Sequence, residues 1–544
     1  MATFTSASLV SGRLVGLLVI DYAGRSWRWS TRPVEVYDED GVGQRFTGGL
    51  GNVELDEDLD LFGDSPTIDS IPFELAWPGD VARLVALGHD LGAAVGEFSL
   101  WVEGTAWEER VVLVEGEVTD PEYGGVGELV SFSLERLGDE DRGTVPEVDA
   151  AVKAGVTWDD SPDDSEGVPY PFVFGQPGPF GAPGGASDGS ASPAIYVDDT
   201  LGKILVAGTP TETGAAGGNV AVYNEDLAER ATLATKHARD GLGRTCTIID
   251  TGVGTLYGRA TDPWLPGHAL WTVWTTGRGA LCSHRKGAIS GAGDLMIALL
   301  ERSTRPFDRG AVMAALPFLN RFIVAGYADD GSSPYDWIAE NLVPILPVSM
   351  ATGPRGIYPI VWRYDATPEM AVAEIQAGRG AVRSGPVAYD ARTSIVNELT
   401  LSYALRARLN EYARTRTLTG DPMREGEADV ISSTQARQSW ARYGRQAESI
   451  TTDIVYGTDT ADLVLGTQMM QRAFQRRAVE FQVDHRYDRL RRGDHVLVTD
   501  EDVHLSEQLG VVTGLGRGFG VRLARVTLLE DPVRDARLGQ VSSG

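Results

Sequence analysis

The sequence predicts a mainly β protein with α+β parts, divided into several domains, and three observations predict it. The first is length: 544 residues exceed the roughly 250–300 at which a single hydrophobic core stops growing. The second is composition, since 65 glycines and 27 prolines accompany an ordinary 42 % apolar content, the balance expected of a globular chain with many turns between short elements. The third is pattern. Short runs of alternating apolar and polar residues recur between turn residues, as strands with one buried face require.

Residues 1–140 form the first predicted domain, an antiparallel β unit built from "GRLVGLLVIDYAG", "SWRWSTRPVEVYDEDG", "GNVELDEDLDLFGD", "GEFSLWVEG", "EERVVLVEGEVTD" and "GELVSFSLER". One packed helix is expected in "PGDVARLVALGHDLG", where Val81, Leu84, Val85 and Leu87 give a short apolar stripe and Gly88 and Gly92 offer stops. Residues 141–168 turn polar and acidic, ending in "DDSPDDSEG", and read as a linker. A second β-rich domain follows over 169–305, with "AIYVDD", "KILVAG", "VAVYN", "RTCTIID" and "ALWTVWTT" joined by glycine-rich loops.

Over 306–392 the pattern changes to a small α/β segment. Ser333 as N-cap, Pro334 at the first helical position and Asp336 in the first turn open a helix through "PYDWIAENLVPIL", with Trp337, Ile338, Leu342 and Leu346 toward a core. Thr367, Pro368 and Glu369 signal a second helix through "MAVAEIQAG", stopped by Gly378. The last domain, 393–535, opens with the strand-like "SIVNELTLSYALRARLNEYARTRTL" and carries the strongest helix, about 459–477. There Leu463, Val464, Met470 and Phe474 fall near helical spacing and Arg472, Arg476 and Arg477 lie late, where positive charge suits the helix dipole. Three strands, "GDHVLVTD", "LGVVTGLG" and "GVRLARVTLLED", close it.

A formal charge of −29 argues against a surface that holds nucleic acid by neutralising phosphates, and against binding to anionic membranes. Cys246 and Cys282 are the only cysteines, too few for a disulfide framework or a four-cysteine zinc site. The apolar run "LVGLLVI" is seven residues long and ends at Asp21, far short of the roughly 20 residues of a membrane helix, so it reads as a strand and no membrane segment is expected.

Candidate chemistry is sparse. "GASDG" matches the Gly-x-Ser-x-Gly of a nucleophile elbow, but Ser187 lies in a loop rich in proline, glycine and serine, with neither the strand before it nor the helix after it that an elbow needs. Asp56, Asp58 and Asp60 alternate like the start of a calcium loop, yet Leu61 and Thr67 stand where glycine and glutamate are required; a strand with a solvated acidic face, Leu55, Leu59 and Leu61 opposite, is the better reading. Cys282 and His284, with Cys246 and His268 upstream, would make a transition-metal site only if the fold gathered them, and their spacing matches no zinc signature. "GLGRGFG" between two strand-like runs fits a hairpin rather than a phosphate loop. His89, His237, His485, His495 and His504 are scattered. No catalytic centre, cofactor or metal is therefore expected.

The segment "VPYPFVFGQPGPFGAPGG" is apolar and aromatic but too rich in proline and glycine for a helix. Proline fixes φ and removes donors, so "VPYPFVFGQP" can pack as an extended segment without offering a sheet edge, with Tyr170, Phe172 and Phe174 pinning it to a core at a domain junction. "YPFVFGQP", followed by "PAIYVDD" and "KILVAG", resembles the middle domain of the hub proteins at the tail tip or baseplate of long-tailed bacteriophages and gene-transfer agents. The resemblance continues in order. "SPYDWIAENLVPILP", which carries Trp337, is similar to their helical segment; "SIVNELTLSY", "SWARYGRQAESITTDIVYGTDTADLVLGTQMMQRAF" and "RRGDHVLVTD" resemble their later strand, tyrosine-glycine plus helix block, and following strand. It covers roughly residues 168–205 and 330–530.

The resemblance implies a homotrimer capping the tail tube, each chain giving two tube-like β domains, here 1–140 and 393–535. Implied partners are the tail tube or distal tail protein, the tape-measure protein and fibre or receptor-binding proteins; the implied location is the distal end of a virion tail, after synthesis in the host bacterial cytoplasm. Acidic residues lining a channel would repel passing DNA, and Asp56, Glu57, Asp58 and Asp60 are the candidates. The alternatives are a tail-associated cell-wall or polysaccharide hydrolase, which needs a carboxylate pair or metal-bound water, and a carbohydrate-binding adhesin, for which Trp264, Trp271 and Trp274 are the only hint.

Overall fold

The computed structural model describes residues 14–529 apart from 23, 52–53, 59–70, 77–86, 89–90, 93, 124–128, 137–142, 148, 176–191, 199–201, 212–218, 224–229, 251–272, 276–280, 285–286, 354, 364–365, 390–394, 407–409, 488 and 519–521. The fold is mainly β, with several sheets, and the α-helices among the described residues pack into one core.

The N-terminal sheet has the spatial order Val34–Tyr37, Gly43–Gly48, Arg25–Ser30, Leu14–Tyr22, Val95–Val102, Val111–Tyr123, Leu129–Arg136, Ile71–Ala76. Its strands alternate as their sequence does: Ile71, Phe73 and Leu75 are buried and the residues between them exposed. Phe73 stacks on Phe132 and meets Phe98 edge-on in the core of this sheet. The helix expected over 78–92 falls almost wholly outside the described residues.

Six strands, Ser192–Asp198, Lys203–Ala207, Thr245–Asp250, Arg230–Arg239, Asn219–Tyr223 and Val273–Thr275, close into an antiparallel barrel, the last pairing back to the first. Closure removes the open edges that such short strands would otherwise present.

The largest core is central. It holds the helices α1 (Ala292–Leu300), α2 (Arg309–Leu319) and α3 (Pro334–Asn341), a sheet of Val430–Ser432, Glu411–Thr419, Glu398–Arg406 and Ala447–Thr451, and the helices α4 (Thr434–Tyr443) and α5 (Thr458–Arg472). Every residue of α1 is buried. Helix α3 starts as its sequence dictates, the Ser333 side chain accepting from the Asp336 amide ahead of Pro334. It stops at Asn341 rather than running to Leu346, because Pro344 has no amide to continue the ladder and disfavours helical backbone before it. Helix α5 ends at Arg472, so Arg476 lies beyond it and Arg477 opens the strand Arg477–Val483. The second expected helix of the 306–392 segment is a single 3-10 turn, Pro368–Met370, followed by the strand Ala373–Gln376.

That strand belongs to the C-terminal sheet, in the order Ala373–Gln376, His495–Asp500, Leu505–Gly518, Arg522–Leu528, Arg477–Val483, Ala381–Arg383, with Ala388–Tyr389 also on Arg477–Val483. Residues 373–389 and 477–528 thus share one sheet, while 395–474 pack into the central core between them.

The N- and C-terminal sheets repeat one topology. In each, a strand (Ile71–Ala76; Arg477–Val483) precedes a meander of three (Val95–Val102, Val111–Tyr123, Leu129–Arg136; His495–Asp500, Leu505–Gly518, Arg522–Leu528) and pairs antiparallel with the third of them. In each, the middle strand of the meander is the longest and carries a register shift, between Thr119 and Glu122 or between Val512 and Gly514.

Candidate functional site

The proline-rich segment runs between two cores. Tyr170 is buried with the barrel, beside Val152, Trp158, Leu205 and Ile248, whereas Phe172 and Phe174 belong to the central core. Main-chain bonds hold the segment on both sides: the Tyr170 amide donates to the Ala150 carbonyl, Pro171 accepts from the Gly208 amide of the barrel, and the Gly175 amide donates to the Ile289 carbonyl. Phe172–Phe174 pairs antiparallel with Gly326–Ala328.

Side chains complete the attachment. Trp158 Nε1 donates to the Tyr170 hydroxyl at 2.9 Å, and that hydroxyl donates to Asp240 Oδ2 at 3.3 Å. Burial pushes the Tyr170 hydroxyl up to about 12 against the opposing hydrogen bond of Thr157, with the Asp240 carboxylate adding to the rise. Asp240 is itself satisfied, accepting from the Leu242 and Arg244 amides and from Arg244 Nε at 2.9 Å. On the other side the Phe174 ring meets Trp337 edge-on, centroids 5.5 Å apart at 85°. Gly175 turns the chain at φ +61, and a Cβ there would lie 2.2 Å from the Val324 carbonyl oxygen.

A second junction involves three of the four acidic candidates. Asp56, Glu57 and Asp58 lie in the strand Glu54–Asp58, which leaves the N-terminal sheet to pair antiparallel with the far half of Leu505–Gly518, in the register Gly514↔Asp58, Leu515↔Glu57, Gly516↔Asp56. Asp60 lies outside the described residues. The alternating pattern did signal a strand; nothing local could signal a partner some 460 positions away.

The candidate metal residues separate. Cys246 is buried in the barrel core, where burial and then the Asp240 carboxylate push its thiol up to about 12; His268 is outside the described residues. Cys282 and His284 do come together, joined by Asp294 of α1, with one ligand atom from each lying within 4.8 Å of the others. Sequence spacing missed Asp294, which sits in the first turn of a helix ten residues on. Ser187, Trp264 and Trp271 lie outside the described residues, and Trp274 falls in the strand Val273–Thr275. His237 Nε2 bonds the Thr211 carbonyl, and His504 caps a 3-10 turn at φ +56. Among the described residues no helix is long and apolar enough to cross a membrane.

No protein-family model matches the chain, and no curated protein matches it. Among solved structures, a tail protein from Neisseria meningitidis MC58 aligns with 95 % of this chain and 97 % of its own at 10 % identity and a TM-score of 0.38. A 43 kDa tail protein of prophage MuSo2 from Shewanella oneidensis covers 94 % of this chain and 96 % of its own, at 9 % identity and TM-score 0.34. The prophage tail protein gp18 from Listeria monocytogenes EGD-e covers 94 % and 100 %, at 9 % identity and TM-score 0.31.

Proposed function

We propose that this chain is a structural hub at the distal end of a long bacteriophage or gene-transfer-agent tail, assembling as a homotrimer around a channel through which DNA passes. The observation that carries the reading is the repeated topology of the N- and C-terminal sheets, bridged by Glu54–Asp58. Two like β units per chain allow three chains to present six, the number a hexameric tube would meet. The second unit is then 373–389 with 477–528, and the central core with the barrel is the body to which other tail proteins attach. The ordered sequence resemblance supports a hub, although it implies 393–535 for the second unit.

In this reading the partners are the tail tube or distal tail protein, the tape-measure protein and fibre or receptor-binding proteins, and the role is non-catalytic. The acidic balance suits a DNA conduit. Three chains at −29 each bring −87, and carboxylates near a lumen wall repel phosphates over a screening length of about 8 Å. Asp56, Glu57 and Asp58, on the strand that joins the two units, are the proposed lining residues, with Asp60 beyond them.

Native mass spectrometry of the full chain, alone and with its tail-tube partner, followed by imaging, tests this. A trimer of 58.4 kDa chains with an acidic central channel is expected. A monomer that stays monomeric with the tube protein, or a ring whose lumen is basic, overturns it; turnover of cell-wall or capsule glycans would favour the hydrolase instead.

A further inference from the structure

Where the chain leaves the barrel and enters the central core, it makes a tight turn whose ends, Leu281 and Ala288, form an isolated bridge. The Cys282 amide donates to the Gly287 carbonyl at 2.9 Å. This turn lies along α1 and is tied to both its ends: Ser283 Oγ donates to Glu301 Oε2 at 2.6 Å, and His284 Nε2 meets Asp294 Oδ1 at 2.9 Å. The pair is deeply buried, with 7 % of the His284 side chain and 1 % of the Asp294 side chain exposed.

Asp294 is held in place before any ligand arrives. Asn320, at the end of α2, donates from Nδ2 to Asp294 Oδ1 at 2.9 Å and accepts the Asp294 amide on Oδ1 at 2.9 Å. Gly291 and Gly293 make room for that amide, since a Cβ at either would stand 2.3 Å or 2.9 Å from Asn320 Oδ1. The other ring nitrogen of His284, Nδ1, is buried with no hydrogen-bond partner among the described residues. The nitrogen that can share an ion with Asp294 is Nε2, which stands 2.9 Å from Asp294 Oδ1, a spacing two ligands of one tetrahedral ion at about 2.0–2.2 Å can span.

We propose that Cys282, His284 and Asp294 bind a divalent transition-metal ion of the zinc type, which clamps the barrel's exit turn onto α1. A thiolate, an imidazole and a carboxylate are the donor set such ions select over magnesium or calcium, whose preference is for oxygen alone. Three protein ligands leave the fourth tetrahedral position for water. Binding requires the thiolate, so the Cys282 proton is released to solvent as the metal–sulfur bond forms. Asn320, through Asp294, is a positioning residue.

The test uses the full chain, stripped with chelator and titrated with Co²⁺. A sulfur-to-cobalt charge-transfer band in the near ultraviolet, saturating at one equivalent, is expected; it should survive Cys246→Ser and vanish in Cys282→Ser, while Asp294→Asn weakens binding at least tenfold. Independently of any variant, Zn²⁺ should slow alkylation of Cys282 in the unaltered protein at least tenfold, read by peptide mass mapping, and raise the unfolding temperature. Absence of a saturable band together with unchanged Cys282 alkylation overturns the proposal, as does a band that Cys246→Ser removes and Cys282→Ser does not.

Discussion

Replacing Phe174 by alanine tests whether the proline-rich segment joins two separate cores. The ring is fully buried, edge-on to Trp337 at 5.5 Å and 6.2 Å from Phe172. Gly326 lies opposite on the paired strand, so close that a Cβ there would be 3.2 Å from Phe174 Cζ. Removal of a buried phenylalanine ring costs about 3–5 kcal/mol, depending on how far the site collapses. Gly326 has no side chain to fill the hole and the flanking backbone is paired, so the upper half, about 4–5 kcal/mol, is expected, including about 0.5–1.5 kcal/mol from the lost edge-to-face pair. Tyr170→Phe removes only a hydroxyl, leaving Trp158 Nε1 without its acceptor, for about 1–3 kcal/mol. Because a chain with several cores does not unfold as one unit, region-resolved hydrogen exchange in urea is the assay. Phe174→Ala should lower protection in α1 and α3 and spare the barrel strands Lys203–Ala207 and Thr245–Asp250; Tyr170→Phe should do the reverse. A loss below about 1 kcal/mol for Phe174→Ala, or equal losses in both regions from each variant, would refute the argument.

Gly175→Ala forces a left-handed residue to carry a Cβ into the Val324 carbonyl; overpacking and backbone strain together give on the order of 2–4 kcal/mol, measurable as a drop in the urea midpoint, and an unchanged midpoint contradicts it. Glu57→Pro removes an amide from the strand opposite Leu515; amide exchange over 514–518 should rise at least tenfold while the far side of that sheet, Arg477–Val483, stays protected. Alkaline pH should destabilise the barrel. The Cys246 thiol holds its proton up to about 12 in the fold but only to about 8.5 when unfolded, so its contribution is complete below about pH 8.5 and is lost toward pH 12, near 1.4 kcal/mol per unit. Tyr170, raised to about 12 from 10.0, adds to the fall above pH 10. Barrel stability by pulse-labelling exchange should decline across this window, less steeply in Cys246→Ala; a flat profile would remove these two groups from the account.

Local rules carried far where a signal is complete within a few residues. Ser333, Pro334 and Asp336 start α3 because the cap, the fixed φ and the dipole act within one turn. Alternation in "IPFEL" predicts the burial of Ile71, Phe73 and Leu75, since period two is a property of the strand itself. Proline and aromatics in "PYPFVF" point to an extended, buried segment for the same reason. The helix signal in "TPEMAVAEIQAG" is equally local and is overridden: one 3-10 turn forms, and Ala373–Gln376 pairs in parallel with His495–Asp500, where ladder bonds and the burial of Ile375 outweigh helix propensities worth tenths of a kcal/mol per residue.

Sequence by itself determined the class of the chain, its many short strands, its acidic balance and the apolar junction. Only the tertiary structure decided that Tyr170 and Phe174 serve different cores, that Glu54–Asp58 completes a sheet some 460 residues downstream, and that Asp294 joins Cys282 and His284. The physical reason is common to all three. Each depends on which distant surfaces meet, and backbone pairing and core burial gain free energy from proximity in space, whatever the separation along the chain.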